Sequence, residues 1–417
     1  MKIIPIITIK LNINLGLVLN FSPPPSDYPL NGATVAGCFG SGEVKAFNNG
    51  TNGGLIFAAP DASFSNRFYK QSNNGMFMNF KSNTTLTGMV DAYVTTYFAA
   101  DAGVTAVFKN WASIRSSAGS KDINFSGMKG TIVFEDRLTV ADLTESAGSD
   151  NVGGKVVLAN SANSIKRFQL NTIIYVCSNE NVMAGSTIIM ANRSNGGYVD
   201  LNGFDQTVKD FSHASQIAWY NYTGARITSG TPATLTITGT VAGVAAECNN
   251  QFDGKVSLVL DADPAYTNRF IHRRSTTTGD ITVKSGVFNL GGASSHFANV
   301  PKIAIESNGC FLLDTSQSAA LASVTNLVLA SGARFEVATG SSGTPTAPFT
   351  SGLVDLELAS DSDFRLMPDT SITVNTLRVN GVCQHKGSYT TAECAAIKSG
   401  TVVVLKGPPR GLCISFK

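Results

Sequence analysis

The sequence predicts an all-β fold, a parallel β-helix (solenoid) with coils of about 20–30 residues. The first observation is an internal repeat, which reads ITVKSGVFNL from Ile281, IAIESNGCFLL from Ile303, LVLASGARFEV from Leu327 and LELASDSDFRL from Leu356. The second is the alternation of apolar and polar residues within each copy, which indicates strands with one buried face. The third is that no copy carries a helical stripe long enough to pack on a sheet.

Each copy of the repeat predicts a strand, a tight turn, a second strand and a variable return loop. The turn is indicated by Gly, Ser, Asn and Asp at its centre. The last three copies align without a gap, and the successive copies are 22, 24 and 29 residues apart. One copy cannot bury its own apolar face, but stacked copies can. We therefore expect an interior aromatic ladder made of Phe288, Phe311, Phe335 and Phe364. The alternative is an ordinary β-sandwich with chance similarity between strands.

The chain divides on sequence into three parts. Residues 1–30 are expected to be a degenerate export signal or the truncated start of a longer gene product, because Lys10, Asn12 and Asn14 interrupt the apolar region. Residues 31–376 are expected to form the solenoid. Residues 377–417 are expected to cap it, because an open end exposes unpaired strand edges.

Composition limits the classes of partner. The 417 residues carry 14% charged side chains and a net charge of +2, so the chain is apolar enough to fold and lacks a basic stripe for nucleic acid. The broken apolar N-terminus is not expected to span a membrane. One basic cluster, Arg269 with His272, Arg273 and Arg274, is either a contact for phosphate or an acidic glycan, or a solvated loop.

The seven cysteines are scattered and lack CxxC spacing, so the sequence predicts neither a zinc site nor a redox motif. We expect mostly free thiols with at most two or three disulfides. Cys383, Cys394 and Cys413 are close enough in sequence to pair if the protein is exported. Cys310 is expected in the turn of its repeat, at the position that Arg334 occupies one copy later.

Candidate catalytic residues are few, so we assign no catalytic, cofactor-binding or metal-binding residue. Asp205, and the pairs Asp261 with Asp263 and Asp361 with Asp363, lie where a turn is predicted, and Asp is favoured there for structural reasons. The four histidines, His213, His272, His296 and His385, are far apart in the sequence. Asn202 and Asn380, each in an apolar-Asn-Gly context, are expected to satisfy buried backbone groups at turns.

Several segments resemble those of a known family. They are NGGYVDLNGFDQTVKDFS ending at Ser212, TPATLTITGT from Thr231, FDGKVSLVL from Phe252, TTTGDITVKSGVFNL ending at Leu290 and LRVNGVCQHKGSYT from Leu377. Together they are similar to the autotransporter-associated β-strand repeat (passenger-associated transport repeat) proteins of the pectin-lyase-like β-helix superfamily. The resemblance covers roughly residues 155–417. It implies a right-handed parallel β-helix in a bacterial surface or secreted protein.

These observations favour a non-enzymatic, exported scaffold or adhesin-like protein, extracellular or at the cell surface. No cofactor is expected, and the partner is unknown, with polysaccharide or cell-surface components as possibilities. One alternative is a polysaccharide-active enzyme, a lyase or glycoside hydrolase, that uses Asp261, Asp263 and Arg273. Another is a carbohydrate-binding module that uses Trp111, Trp219 and Tyr220, although adjacent strand residues point to opposite faces.

Overall fold

A computed structural model of the chain describes residues 17–20, 29–30, 44–47, 53–58, 60–70, 76–92, 95–110, 122–145, 153–190, 197–213, 226–240, 246–248, 251–271, 275–292, 297–314, 319–338 and 348–408. All regular structure in these residues is β-strand. They therefore include no helix with the length and apolar character that crossing a membrane requires. The chain forms two compact units, residues 1–165 and residues 166–417.

The first unit is a stack of parallel strands. In chain order the strands are β1 (Leu17–Asn20), β2 (Pro29–Leu30), β3 (Val44–Phe47), β4 (Gly53–Phe57), β5 (Ala62–Phe64), β6 (Phe68–Lys70), β7 (Met76–Phe80), β8 (Thr84–Leu86), β9 (Val90–Ala92), β10 (Thr96–Ala100), β11 (Thr105–Phe108), β12 (Ile123–Met128), β13 (Thr131–Phe134), β14 (Thr139–Glu145) and β15 (Lys155–Leu158). Three sheets run through the unit, β1-β3-β6-β9, β2-β4-β7-β10-β12-β14 and β5-β8-β11-β13-β15. Successive turns of the chain supply successive strands of each sheet, as in a solenoid.

The first unit contains repeats that the sequence did not reveal. The strands TAVF, TIVF and KVVL stack in register, and Phe108, Phe134 and Leu158 form one fully buried column. The rings of Phe108 and Phe134 stack with centroids 5.2 Å apart. Each copy shares only two buried positions with the next, and the intervening loops differ in length. Such a short apolar pattern is too common in sequences to identify a repeat.

The second unit is also a parallel solenoid. Its strands are β16 (Ser164–Leu170), which begins at the division, β17 (Ile174–Cys177), β18 (Thr187–Met190), β19 (Tyr198–Asp200), β20 (Gln206–Val208), β21 (Asp210–His213), β22 (Arg226–Ile237), β23 (Ala246–Cys248), β24 (Gln251–Asp261), β25 (Thr267–Phe270), β26 (Ile281–Gly291), β27 (Lys302–Asp314), β28 (Asn326–Leu329), β29 (Arg334–Val337), β30 (Asp355–Leu358), β31 (Asp363–Arg365), β32 (Ser371–Val374), β33 (Thr376–Val379), β34 (Val382–Cys383), β35 (Gly387–Tyr389), β36 (Ile397–Ser399) and β37 (Thr401–Val404).

The predicted repeat and its aromatic ladder are confirmed. One paired column consists of Ile281, Ile303, Leu327 and Leu356, and the other of Phe288, Phe311, Phe335 and Phe364. Neighbouring phenylalanine rings stack with centroids 5.0, 5.7 and 5.2 Å apart and interplanar angles of 12°, 14° and 11°. All eight side chains are buried. The parallel register places equivalent residues one above another, so the apolar positions of the copies form a continuous core.

The corner of the repeat differs from the prediction in its first two copies. β26 and β27 continue through the expected turn, with a register shift between Val283 and Ser285. Cys310 therefore lies in a strand and not in a turn, although its predicted alignment with Arg334 is correct. The third and fourth copies do contain a turn, but Asp363 begins a strand after it. A register shift changes the direction of the chain without ending the strand, which is how β26 and β27 pass the corner.

The pairing changes near the C-terminal end of the described residues. β33 pairs in parallel with β30 and then antiparallel with β34, and β35 pairs antiparallel with β37. A short antiparallel hairpin covers the edge of a strand that would otherwise expose unpaired N–H and C=O groups. This local topology gives the last coil a different surface from the coils before it.

Replacing Phe311 with Ala is expected to lower the free energy of unfolding by about 3–5 kcal/mol, because it removes one ring from a fully buried stack. The matched control is Leu312→Ala in the same strand, whose side chain is only half-buried on the outer face. Its expected cost is about 1 kcal/mol. Urea unfolding of both full-length variants measures the difference. Equal losses would show that the interior column does not carry the stability we assign to it.

Candidate functional site

A polar patch lies on the outer face of the second unit, across β19, β22 and β24. We call it the Arg226 patch, and it consists of Tyr198, Asp200, Arg226, Thr228, Gln251, Asp253 and Thr276. The strands pair in parallel, so Tyr198, Arg226 and Gln251 form one column and Asp200, Thr228 and Asp253 form the next. Residues from three successive coils therefore meet on one surface.

The alternation of each strand determines which side chains form the patch. Val199, Ile227 and Phe252 are fully buried in the solenoid interior. The residues on either side of each of these point outward, because successive side chains of a strand lie on opposite faces. The position before Tyr198 requires glycine, Gly197. A Cβ at this position would lie 2.7 Å from the carbonyl carbon of Asn171 in the coil below.

The corner of the coil holds the ends of these strands in place. The buried Ser229 hydroxyl donates a hydrogen bond to the carbonyl of Thr231 (2.6 Å) and accepts one from the N–H of Gly203 (3.1 Å). Gly254 pairs with Ser229, has a φ of +69°, and would place a Cβ 2.4 Å from the Ser229 carbonyl oxygen. Asp253 is therefore the last outward residue before a corner that only glycine fits.

Arg226 is held from two sides and remains accessible. Its guanidinium carbon lies 4.7 Å from the centre of the Tyr198 ring, and Nη1 lies 3.9 Å from Oδ2 of Asp253. The side chain is 47% exposed. The ring contact contributes about 0.5–1 kcal/mol at an exposed site and orients the planar group. Within the described part of the chain, no residue accepts a hydrogen bond from this guanidinium.

The two aspartates of the patch keep part of their hydrogen-bonding capacity. Oδ1 of Asp253 accepts hydrogen bonds from Gln251 Nε2 (3.0 Å) and Thr276 Oγ1 (2.6 Å), and Oδ1 of Asp200 accepts one from the N–H of Asn202 (2.9 Å). The Oδ2 atom of Asp253 lies 3.9 Å from Nη1 of Arg226, and the Asp253 side chain is 14% exposed. Two steps of the ladder separate Asp200 from Asp253, so their Cα atoms lie about 10 Å apart with Thr228 between them.

The sequence analysis did not identify this patch. The pattern that marks it in the sequence is a polar-apolar-polar triplet at the start of three strands, Tyr198 to Asp200, Arg226 to Thr228 and Gln251 to Asp253. Loops of unequal length separate the triplets, so their alignment is visible only after the strands are paired.

The structure gives the acidic pairs from the sequence mainly structural contacts. Asp261 is the last residue of β24 and lies 3.5 Å from Lys284 Nζ, while Asp263 accepts a hydrogen bond from the N–H of Ala265 (2.8 Å) and closes its own turn. Arg273 lies outside the described residues. The turn role predicted for Asp263 is therefore confirmed, whereas Asp261 belongs to a strand.

The other candidate carboxylates are engaged within the chain as well. Asp361 accepts a hydrogen bond from the Ser331 hydroxyl (2.6 Å), and Asp205 accepts one from the N–H of Thr234 (2.6 Å). Asp363 forms a two-bond pair with Arg365, with Nε to Oδ1 and Nη2 to Oδ2 both at 2.7 Å. These contacts join neighbouring coils or fix a strand. They agree with the structural, non-catalytic roles that the sequence predicted for these residues.

Asp363 and Arg365 belong to a charged quartet that the sequence did not reveal. Arg334 pairs with Glu336 along β29, and β29 lies beside β31, so Arg334 faces Asp363 and Glu336 faces Arg365. Each charge has opposite charges for neighbours, so the quartet neutralises itself. The aligned triplets Arg-Phe-Glu and Asp-Phe-Arg carry this signal in the sequence.

The asparagine prediction is half right. Nδ2 of Asn202 donates a hydrogen bond to the Cys177 carbonyl (3.2 Å), and Oδ1 of Asn380 accepts one from the N–H of Ser360 (2.8 Å). Both residues are exposed and have positive φ angles of 52° and 49°. They bond the neighbouring coil at turns, as expected, but they lie at the surface because a left-handed corner directs the side chain outward.

The described thiols are free. Cys177 and Cys394 are buried, while Cys310 and Cys383 are half-buried. Cys383 and Cys394 are therefore not joined to each other in this structure, and Cys413 lies outside the described residues. Burial raises the pKa of the Cys177 thiol, and Asp200 and Glu180 raise it further. Burial also raises the pKa of Cys310, to about 11, against the opposing effect of Arg334.

The remaining candidates have other contacts or lie outside the described residues. Arg269 lies 3.9 Å from Asp314, and His385 Nδ1 is 2.9 Å from the Pro408 carbonyl. His213 is described only as part of a strand. The rest of the basic cluster, the fourth histidine and the aromatic candidates lie outside the described residues: His272, Arg274, His296, Trp111, Trp219 and Tyr220. Across the described ranges, no three His, Cys, Asp or Glu side chains are grouped so as to hold a metal ion.

Comparisons of the chain with protein-family models, with curated proteins and with solved structures found no match. The parallel β-solenoid therefore rests on the strand pairing itself. The resemblance to autotransporter-associated repeats stays a prediction from the motifs.

The stability of the chain is expected to fall between pH 9 and pH 11 because of Cys310. In the unfolded chain this thiol has its ordinary pKa of 9.0, whereas the folded chain keeps it protonated up to about pH 11. The contribution of this thiol to the free energy of unfolding is therefore fully present below about pH 9 and is lost as the pH rises toward about 11. Replacing Cys310 with Ser should remove about 2 kcal/mol of the loss between about pH 8 and about pH 10.5, measured by urea unfolding. Parallel losses in variant and wild type would contradict the assignment.

Proposed function

We propose that this protein is a non-enzymatic, exported bacterial β-solenoid that acts as an adhesin-like scaffold, extracellular or at the cell surface, and holds a polysaccharide on its outer face. The observation that carries this proposal is the Arg226 patch. It places the accessible guanidinium of Arg226, the hydroxyls of Tyr198 and Thr228, and two carboxylates on three successive coils, where one carboxylate, that of Asp253, is only 14% exposed. The ligand is held by the outer surface of the coils and not by a closed cavity.

The bonding of the patch favours binding over catalysis. Asp253 already accepts hydrogen bonds from Gln251 and Thr276, and Asp200 holds the N–H of Asn202. A carboxylate with these bonds is well suited to accept one further hydrogen bond from a ligand hydroxyl. A general acid needs instead an environment that keeps its proton near neutral pH.

The solenoid itself supports a scaffold role. Parallel strands extend the core and the outer surface along one axis, so the surface grows with the number of coils. Columns of outward residues follow that axis, and a linear polymer lies along such a column more readily than a compact ligand does. This arrangement suits an elongated partner at the cell exterior.

A polysaccharide-active enzyme is the second candidate, and the column of Asp200, Thr228 and Asp253 favours it. The Cα atoms of Asp200 and Asp253 are about 10 Å apart. In inverting glycosidases the two carboxyl groups are about 6.5–9.5 Å apart, and one acts as acid while the other activates water. The sugar bond would lie over Thr228. This candidate uses a different acidic pair from Asp261 and Asp263, which the sequence had suggested.

Purified wild-type chain is expected to be retained by at least one member of a panel of soluble polysaccharides in affinity electrophoresis. No new reducing ends or unsaturated products are expected in the same mixtures. The variant Arg226→Ala should lose most of the retention, because the exposed guanidinium is the main donor of the patch. Arg378→Ala, an exposed arginine on a different strand, is the matched control and should be retained like wild type.

Two results would change the conclusion. Absence of retention by every polysaccharide would remove the binding proposal. Release of reducing ends that disappears in both Asp200→Asn and Asp253→Asn would support the enzyme and contradict the non-enzymatic scaffold. Each of the two carboxylates would then be needed for turnover. Loss in neither variant would place any hydrolysis outside the patch.

A further inference from the structure

We infer that the Arg226 patch selects neutral, hydroxyl-rich polysaccharide chains over polyanionic ones. The inference rests on the proposed function and adds the chemical class of the ligand. It follows from three features of the patch: its charge, the alternation of its donors and acceptors, and the direction in which its columns run.

The charge of the patch is negative. Asp200 and Asp253 face one guanidinium, that of Arg226. A uronate or sulfate group placed against Arg226 would also meet the carboxylate of Asp253, which lies 3.9 Å from that guanidinium. Like charges at such separations repel, so a polyanion gains little from the arginine.

Donors and acceptors of the patch alternate between its two columns. The guanidinium of Arg226 lies on the first column, and the carboxylates of Asp200 and Asp253 lie on the second, where the Asp253 side chain is 14% exposed. A sugar hydroxyl both donates and accepts hydrogen bonds, so neighbouring hydroxyls of one ring can bond a carboxylate and a guanidinium together. An ionised carboxylate can only accept, so a uronate carboxylate placed at Asp200 or Asp253 cannot form a hydrogen bond with that side chain.

The columns set the direction of the ligand. Tyr198, Arg226 and Gln251 follow one another across coils, and so do Asp200, Thr228 and Asp253, at about 4.8 Å per step. The three-coil surface is thus about 10 Å long, which gives two consecutive sugar units polar contacts on both columns. A linear polysaccharide would cross the strands and run parallel to the axis of the coils.

The test compares neutral and acidic polymers on the same folded variants. Retention of wild-type chain by hydroxyethyl cellulose, soluble xylan and polygalacturonate is measured in affinity gels at several salt concentrations. We expect retention by at least one neutral polymer and about tenfold weaker binding to polygalacturonate. Tyr198→Ala and Arg226→Ala should each weaken neutral binding about tenfold, as the loss of a central contact does. Arg378→Ala should leave it unchanged, and equal melting temperatures confirm folding.

The second part of the test removes the negative charges of the patch and measures whether the preference for neutral polymers is lost. The double variant Asp200→Asn, Asp253→Asn keeps the shape of the patch but removes both carboxylates, so binding to polygalacturonate should rise. Arg273 and Arg274 lie shortly before Thr276 in the chain, and Arg273→Ala, Arg274→Ala tests whether they attract acidic polymers. Acidic binding by wild type that this variant leaves intact would not depend on these two arginines and would overturn the inference.

The failures of the two proposals can be told apart. If no polymer is retained, the proposed binding function is wrong and the inference falls with it. If polygalacturonate is retained as well as the neutral polymers or better, the binding function stands and the selectivity is wrong. If neutral binding survives in Tyr198→Ala and Arg226→Ala, another part of the surface holds the ligand and the assignment to the patch is wrong.

Discussion

The parallel pairing of successive coils is the constraint on which the rest of the structure depends. It brings the same position of each coil to the same place on the next, about 4.8 Å away. Inside, this produces the stacked rings of Phe288, Phe311, Phe335 and Phe364. Outside, the same register gathers polar side chains from distant parts of the sequence into columns. The core and the candidate site are therefore two faces of one ladder of backbone hydrogen bonds.

The two outward clusters of the second unit show how one frame supports two different roles. In the quartet, Arg334, Glu336, Asp363 and Arg365 alternate in sign along and across the strands, so their hydrogen bonds are used within the protein. In the Arg226 patch the guanidinium lies between the Tyr198 ring on one neighbouring strand and the Asp253 carboxylate on the other, and its side chain stays 47% exposed. Surface ion pairs contribute little stability, so the quartet acts mainly by neutralising this face.

Much of the fold of the second unit could be predicted, because its repeats combine alternation with a large aromatic residue at a fixed position. The first unit could not be recognised in the same way: the strands containing Phe108 and Phe134 share only two buried positions with each other. The patch was missed for a related reason. Tyr198, Arg226 and Gln251 are separated by loops of different length, and a polar residue at the start of one strand carries no sign of which strand will lie beside it.

The amino-acid pattern was sufficient to predict the class of fold, the interior phenylalanine column and the turn roles of Asp263 and Asp361, since each follows from local periodicity or local hydrogen bonding. The folded chain was needed to show that Cys310 lies in a strand, that Cys383 and Cys394 stay free, and that Asp200, Arg226 and Asp253 share one surface. The physical reason is that side-chain alternation is encoded within a strand, whereas register between strands depends on the loops and corners of the whole coil. Gly197 and Gly254 help to fix that register, because the neighbouring backbone leaves no room for a Cβ at either position. Ser229 helps by donating a hydrogen bond from its hydroxyl to the Thr231 carbonyl.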